Sequence, residues 1–221
     1  MFRKRLLTTM LCAAGILLYS GGAWAQCAGP DLKNATISNA SSITATSTVF
    51  RASAVPNVWK TLKLGEFANS FALRNALDAA GCGIGDLAEE ILARPAFTVA
   101  STRTDVDLVV ASAAELGLTT KSVSLTDIYS RAEKLGLGLA PAEVGPELRL
   151  QYFNQPIGEF LHVGMKPITT WQGEPAIFVL VNGGAGLILI GQNAGADAEI
   201  PATSRFLFVR PRVFAREPET R

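Results

Sequence analysis

Residues 137–168 read LGLAPAEVGPELRLQYFNQPIGEFLHVGMKPI, and this stretch decides the fold because a helix-rich half precedes it and a strand-rich half follows it. Residues 147–153 alternate apolar and polar side chains, which is typical of a half-buried strand. Residues 154–157 have the composition of a hairpin loop, and residues 158–166 return as a second strand. The stretch therefore predicts a β-hairpin at the junction of the two halves.

The predicted hairpin has one apolar and one polar face. Pairing Phe153 with Gly158 collects the large aliphatic side chains on one side, as burial of that side requires. The apolar face holds Leu148, Leu150, Leu161 and Val163, and the polar face holds Arg149, Gln151, His162 and Lys166.

The polar face is the best candidate for a ligand site. Arg149 offers a rigid fork of donors to a carboxylate or phosphate, and His162, the single histidine, changes its charge near neutral pH. An ordinary solvated face with Glu and Arg paired across strands explains the same pattern and stays the alternative. The candidate site for an anionic ligand comprises Arg149, His162, Glu143, Glu159 and Lys166.

The segments beyond the junction predict further strands. Residues 176–181 and 187–190 are apolar on both faces, so they should be central strands, joined by a turn at Asn182-Gly183. Residues 191–204 resemble a long polar loop, and residues 206–210 a last strand.

The segments before the junction predict short helices and two strands. Helical spacing runs over residues 67–80 and 86–93, and a further helix begins at Ser124. Alternating or apolar runs at 58–64 and 106–111 predict strands. The expected fold is α+β: short helices from the first half pack on a mostly antiparallel sheet, a meander with barrel closure as an alternative.

The N-terminus has the features of a secretory signal peptide. Residues 1–25 combine a cationic start, an apolar run and the cleavage pattern Ala23-Trp24-Ala25. The apolar run is shorter than the ~20 residues of a membrane span. We expect a Ser/Thr-rich leader at 26–56, one globular domain at 57–211, and a loose tail at 212–221.

Composition narrows the possible partners. Removing the signal peptide takes away three basic residues and no acidic ones, so the net charge changes from +1 to −2. No basic patch for nucleic acid is expected, and no stable membrane span remains. In an oxidising periplasm or medium, Cys27 and Cys82 are expected to form a disulfide contributing ~2–4 kcal/mol, with two free thiols as the alternative.

The sequence contains no recognisable metal cluster, phosphate loop or nucleophile with its base, so no cofactor is expected. The glycines at 81–85 follow a helix and not a strand, which argues against a dinucleotide loop. We expect a non-enzymatic exported binding domain for a protein or an anionic small molecule. The alternative is a hydrolase of an envelope or extracellular anionic substrate, with Glu143 or Glu159 as acid or base and Arg149 and His162 orienting the substrate.

Residues 97–168 contain a group of specific short motifs: VDLV at 106–109, AELG at 114–117, PAEVGP at 141–146 and LRLQY at 148–152. On these motifs the segment resembles a family of small bacterial proteins without an assigned activity. The resemblance covers about a third of the chain and implies no catalytic or binding residues.

Overall fold

The computed structural model describes residues 56–196 and 198–212. The predicted signal peptide, the leader as far as residue 55 and the tail from residue 213 lie outside the described residues. No helix in the described ranges has both the length and the apolar character needed to cross a membrane.

Helices and strands alternate along the first part of the described chain, and strands dominate the last part. The helices in the described ranges are α1 (Ser70–Ala79), α2 (Asp86–Ala93), α3 (Leu125–Lys134) and α4 (Val144–Gln151). The strands there are β1 (Lys60–Leu64), β2 (Gly83–Ile84), β3 (Thr104–Ser112), β4 (Ser122–Ser124), β5 (Phe160–Val163), β6 (Ile168–Thr169), β7 (Pro175–Asn182), β8 (Leu187–Asn193), β9 (Glu199–Pro201) and β10 (Arg205–Arg210).

The main sheet has eight strands in the order β1-β3-β10-β5-β7-β8-β2, with β6 paired to β7. Most pairs are antiparallel, and the β10–β5 and β2–β8 pairs are parallel. The predicted α+β class is confirmed, whereas barrel closure is wrong because the sheet stays open. A simple meander is also wrong, since β1 and β3 from the first half extend the sheet built by the second.

Local capping explains where two of the predicted helices begin. The Asn69 side chain accepts a hydrogen bond from the Ala72 N–H at the start of α1. Ser124 caps α3 in the same way, with its hydroxyl accepting from the Asp127 N–H. Gly81, just beyond α1, adopts a φ of 70°, which favours glycine at a helix end.

The predicted hairpin at the junction is wrong, because residues 144–151 form helix α4. Pro146 lies in the first turn of α4, where a missing N–H costs no helical hydrogen bond. The polar Glu147 and Arg149 are as buried as Leu148, so alternation in the sequence does not mark an inner and an outer face. The second predicted strand exists as β5, but it pairs with β7 and β10 instead of residues 147–153.

Helix α4 packs closely on the sheet. A Cβ atom at Gly145 would lie only 2.8 Å from the ring of Phe178 on β7, so only glycine allows this approach. Phe178 also meets Phe97 edge to face at 6.1 Å. The hydrophobic core is one cluster of buried residues to which all four helices and the main sheet contribute.

The second half of the chain follows the prediction more closely. β7 and β8 form the expected antiparallel hairpin across the turn at residues 183–186, and β10 is the expected last strand. β7 is almost entirely buried, as its two apolar faces indicate. The predicted loop at 191–204 differs, because it contains the end of β8 and also β9, which pairs with β4.

Candidate functional site

The five residues of the predicted anion site do not lie together. Arg149, Glu159 and His162 belong to one network of hydrogen bonds, whereas Glu143 and Lys166 lie elsewhere. Lys166 is exposed and borders a small groove of about 250 Å³ beside Pro141 and Pro167. The single anion-binding face expected from the sequence is therefore wrong, because the hairpin that would create it does not form.

Arg149 is fully buried in α4. Its Nη1 donates to Gln155 Oε1 and its Nη2 donates to the carbonyl oxygen of Tyr152, so it ties the turn after α4 to the helix. Within the described residues it forms no ion pair with a carboxylate, and its Nε lacks a hydrogen-bond partner. Burial lowers the pKa of Arg149. Because both Nη atoms are bound inside the protein and the side chain has no exposed surface, Arg149 has a structural role.

Cys82 lies beside Arg149 in the core. Burial raises the pKa of the thiol, and the guanidinium of Arg149 offsets part of that effect. Cys82 forms no disulfide with another described residue. Cys27 lies outside the described residues, so the Cys27–Cys82 bond stays a prediction.

Glu159 connects the Arg149 network to the surface. Its carboxylate accepts from the Tyr152 hydroxyl at 2.9 Å and forms an ion pair with Arg205 at 2.5 Å. Its carbonyl oxygen accepts from Gln155 Nε2 at 3.1 Å. Both carboxylate oxygens therefore have partners inside the protein.

His162 lies next to this ion pair on β5. Because a carbonyl oxygen only accepts, the 3.2 Å contact with the Arg205 carbonyl places the proton on Nδ1. The imidazole stacks on Phe206 with ring centroids 4.9 Å apart. Burial lowers the pKa of His162, so the ring is neutral at pH 7. A stacked, neutral and largely buried imidazole provides a polar wall and no positive charge.

These groups border a surface hollow of about 590 Å³, which we call the apolar hollow. Ile157 and Phe160 stand at its edge and are 79% and 51% exposed. The residues that line it are Pro156, Ile157, Gly158, Glu159, Phe160, His162, Pro201, Thr203, Ser204 and Arg205. Two of the five predicted site residues, Glu159 and His162, therefore do meet at a hollow.

The Glu143 carboxylate binds two backbone N–H groups from neighbouring loops. One carboxylate oxygen accepts from the Gly65 N–H at 2.9 Å and the other from the Ala100 N–H at 2.8 Å. Only 1% of the residue is exposed. Glu143 thus joins two loops to the start of α4, and neither oxygen is left for a substrate.

Glu147, one turn further along α4, was not among the predicted residues. It is 1% exposed, and its two contacts are long: 3.4 Å from the Glu66 N–H and 3.3 Å from Gln151 Nε2. Burial, with a smaller contribution from Glu143, raises the pKa of Glu147 to about 7. The four-residue spacing of Glu143 and Glu147 is the signal that a helical interpretation of this segment would have revealed.

Comparison with known proteins adds no relative: no family model, no curated protein and no solved structure matches the chain. The resemblance of residues 97–168 to a bacterial family stays a prediction. In the described ranges, no group of three or more His, Cys, Asp or Glu side chains is placed to hold a metal ion.

Proposed function

We propose that the chain is an exported binding domain that recognises an apolar segment of a protein partner at the apolar hollow. The observation that carries the proposal is the position of Ile157, the most exposed large apolar residue in the described ranges, beside Phe160 at the edge of that hollow. Isolated exposed apolar side chains are common on proteins. Two that border one concave surface are typical of recognition sites.

The polar groups around the apolar hollow suit recognition better than catalysis. The Glu159–Arg205 ion pair is satisfied within the protein, and it would orient a ligand through its rim. The neutral His162 adds one polar wall, and its Nδ1 is engaged by the carbonyl oxygen of Arg205 and not by a side-chain nucleophile.

The hydrolase alternative has less support. It requires Glu143 or Glu159 as an acid or base and Arg149 to hold an anionic group. Arg149 has no exposed surface, and both oxygens of Glu143 accept backbone N–H groups. Of the two carboxylates, only Glu159 lines the apolar hollow, and it already binds Arg205 and Tyr152.

The exported location is part of the proposal and rests on the sequence. The cationic start, the apolar run and the cleavage pattern of residues 1–25 support secretion to the periplasm or the medium. A Ser/Thr-rich leader at 26–56 would then give the domain reach from its point of attachment or export.

The test is the native mass of the full chain's mature product, purified from its host under non-reducing conditions. We expect a second protein to stay bound in a fixed ratio. Replacing Ile157 and Phe160 together by Ser should release this protein, because the change removes apolar contact area and leaves the core untouched.

The matched control is Phe71→Ser, since Phe71 is 69% exposed on α1 and does not line the apolar hollow. This control should keep the second protein bound. A wild-type chain that purifies as a bare monomer would refute the proposal. Equal loss of the partner in Phe71→Ser would show that the partner binds exposed apolar side chains non-specifically, which would also contradict the proposal.

A further inference from the structure

A second hollow, which we call the charged hollow, lies between α4, the segment after β1 and the segment before β3. It has a volume of about 420 Å³ and is lined by Lys63, Glu66, Phe67, Arg103, Glu147, Leu150 and Gln151. An adjoining hollow of about 620 Å³ shares Lys63, Glu66 and Arg103 with it. These three charged side chains therefore border open space on two sides.

The two buried carboxyl groups at the start of α4, on its N-cap Glu143 and on Glu147, differ in how they are held. Glu143 is saturated by two backbone N–H groups at 2.8–2.9 Å, whereas the contacts of Glu147 are 3.3–3.4 Å long. Within the described residues, neither carboxyl group forms an ion pair. Glu147 is thus the group that retains hydrogen-bonding capacity, and it is the one that contributes to the wall of the charged hollow.

The charged groups around Glu147 come from several elements. Glu143 precedes it by one helical turn, and Glu66 and Arg103 belong to the two flanking segments. Helix α1 packs on α4, but its Arg74 pairs with Glu89 at 2.6 Å. β1 contributes Lys63 to the hollow and Lys60, whose Nζ donates to the Gln151 carbonyl. β7 and β8 bring no ionisable side chain.

Arg103 is able to bind a further group. Among the described residues, Arg103 forms an ion pair with Glu66 through Nη2 at 3.3 Å, and its side chain is 76% exposed. A guanidinium has five donors in a planar fork, so most of this fork remains for a ligand.

We propose that the charged hollow binds an oxyanion, with Lys63 and Arg103 supplying positive charge and the protonated carboxyl group of Glu147 donating a hydrogen bond. Among the residues that line the hollow, Lys63 and Arg103 carry two positive charges and Glu66 one negative charge when Glu147 is neutral. Ionisation of Glu147 adds a negative charge beside Glu66 and Glu143, which disfavours an anion, and removes the hydrogen-bond donor. The raised pKa of Glu147, about 7, places this change near neutral pH.

The test is a calorimetric titration of the full chain's mature product with sulfate, which stays fully ionised across the range. At constant ionic strength, we expect binding to be about tenfold tighter near pH 6 than near pH 8, because the protonated fraction of a group with a pKa near 7 falls by about that factor. Acetate, titrated in parallel, distinguishes a planar carboxylate ligand from a tetrahedral oxyanion.

Three variants locate the effect. Glu147→Gln keeps a neutral donor at every pH, so it should bind sulfate with nearly equal affinity at both pH values. Lys63→Gln and Arg103→Gln should weaken binding, whereas Arg74→Gln should not. Absence of sulfate and acetate binding by the folded wild-type chain near pH 6 would overturn the proposal. The same pH ratio in Glu147→Gln as in the wild type would also overturn it.

Discussion

Arg149 carries a guanidinium with no exposed surface, and its two Nη atoms hold the turn at residues 152–155 against α4. We predict that Arg149→Ala lowers the free energy of unfolding by about 2–4 kcal/mol, because it opens space in the core and leaves two acceptors unpaired. Urea unfolding followed by circular dichroism measures the change.

The control for Arg149 is Arg74→Ala. Arg74 forms a half-exposed ion pair with Glu89, and its loss should cost no more than about 0.5 kcal/mol. If the two substitutions cost the same, Arg149 is not buried as described, and the surface position expected from the sequence would be correct.

Glu147 should make the stability of the protein depend on pH. Its pKa is raised by folding from an ordinary 4.5 to about 7, so the folded state binds more protons between these values. The contribution of Glu147 to stability is therefore present below pH 4.5 and is lost as the pH rises to about 7, by up to about 3 kcal/mol.

Glu147→Gln removes this titration. Urea unfolding at several pH values should show that the variant gains stability relative to the wild type as the pH rises from 5 to 7, with a constant difference above about 7. Groups such as His162 titrate in both proteins and cancel in the difference. A difference that does not change with pH would contradict the raised pKa.

Helix α4 packs so closely on β7 that Gly145 leaves no space for a larger side chain. Gly145→Ala would place a Cβ atom 2.8–3.0 Å from the Phe178 ring. We predict a net loss of about 1–2 kcal/mol, because overpacking against β7 outweighs the better helix propensity of alanine. Thermal and urea unfolding measure it.

Gly183→Ala is the matched control, since the nearest atom to its added Cβ lies 4.0 Å away on Val181. This substitution should change stability by no more than about 0.5 kcal/mol. A neutral or stabilising Gly145→Ala would show that α4 lies farther from the sheet than described.

Sequence patterns predicted the helices that bury one apolar face and the strands that are apolar on both faces. α1 and α3 have caps and an apolar stripe, and β7 and the first four residues of β8 are apolar on both faces. Each of these elements can therefore be predicted from its own sequence. Helix α4 was not predicted, because it buries the charged residues Glu147 and Arg149 together with Leu148. When polar and apolar residues of a segment are buried alike, the sequence pattern does not show whether the segment is a helix or a strand.

For the molecule as a whole, the α+β class was predictable, but strand order was not. The sheet takes β1 and β3 from the first half and pairs β5 in parallel with β10, which are long-range choices that local patterns do not encode. The candidate site was not predictable for the same reason. Glu159 and His162 meet because β5 and β10 are neighbours, and α4 buries Arg149 within the same hydrogen-bond network. Glu143 and Lys166 lie elsewhere.

The most direct measurement is photo-cross-linking from position 157 in the full chain within its host. A photoreactive phenylalanine analogue replaces Ile157 in one protein and Phe71 in another. We predict a discrete cross-linked protein from position 157 and none from position 71, because of these two positions only 157 borders the apolar hollow. No product from position 157, or the same products from both positions, would contradict the proposal that this hollow is a binding site.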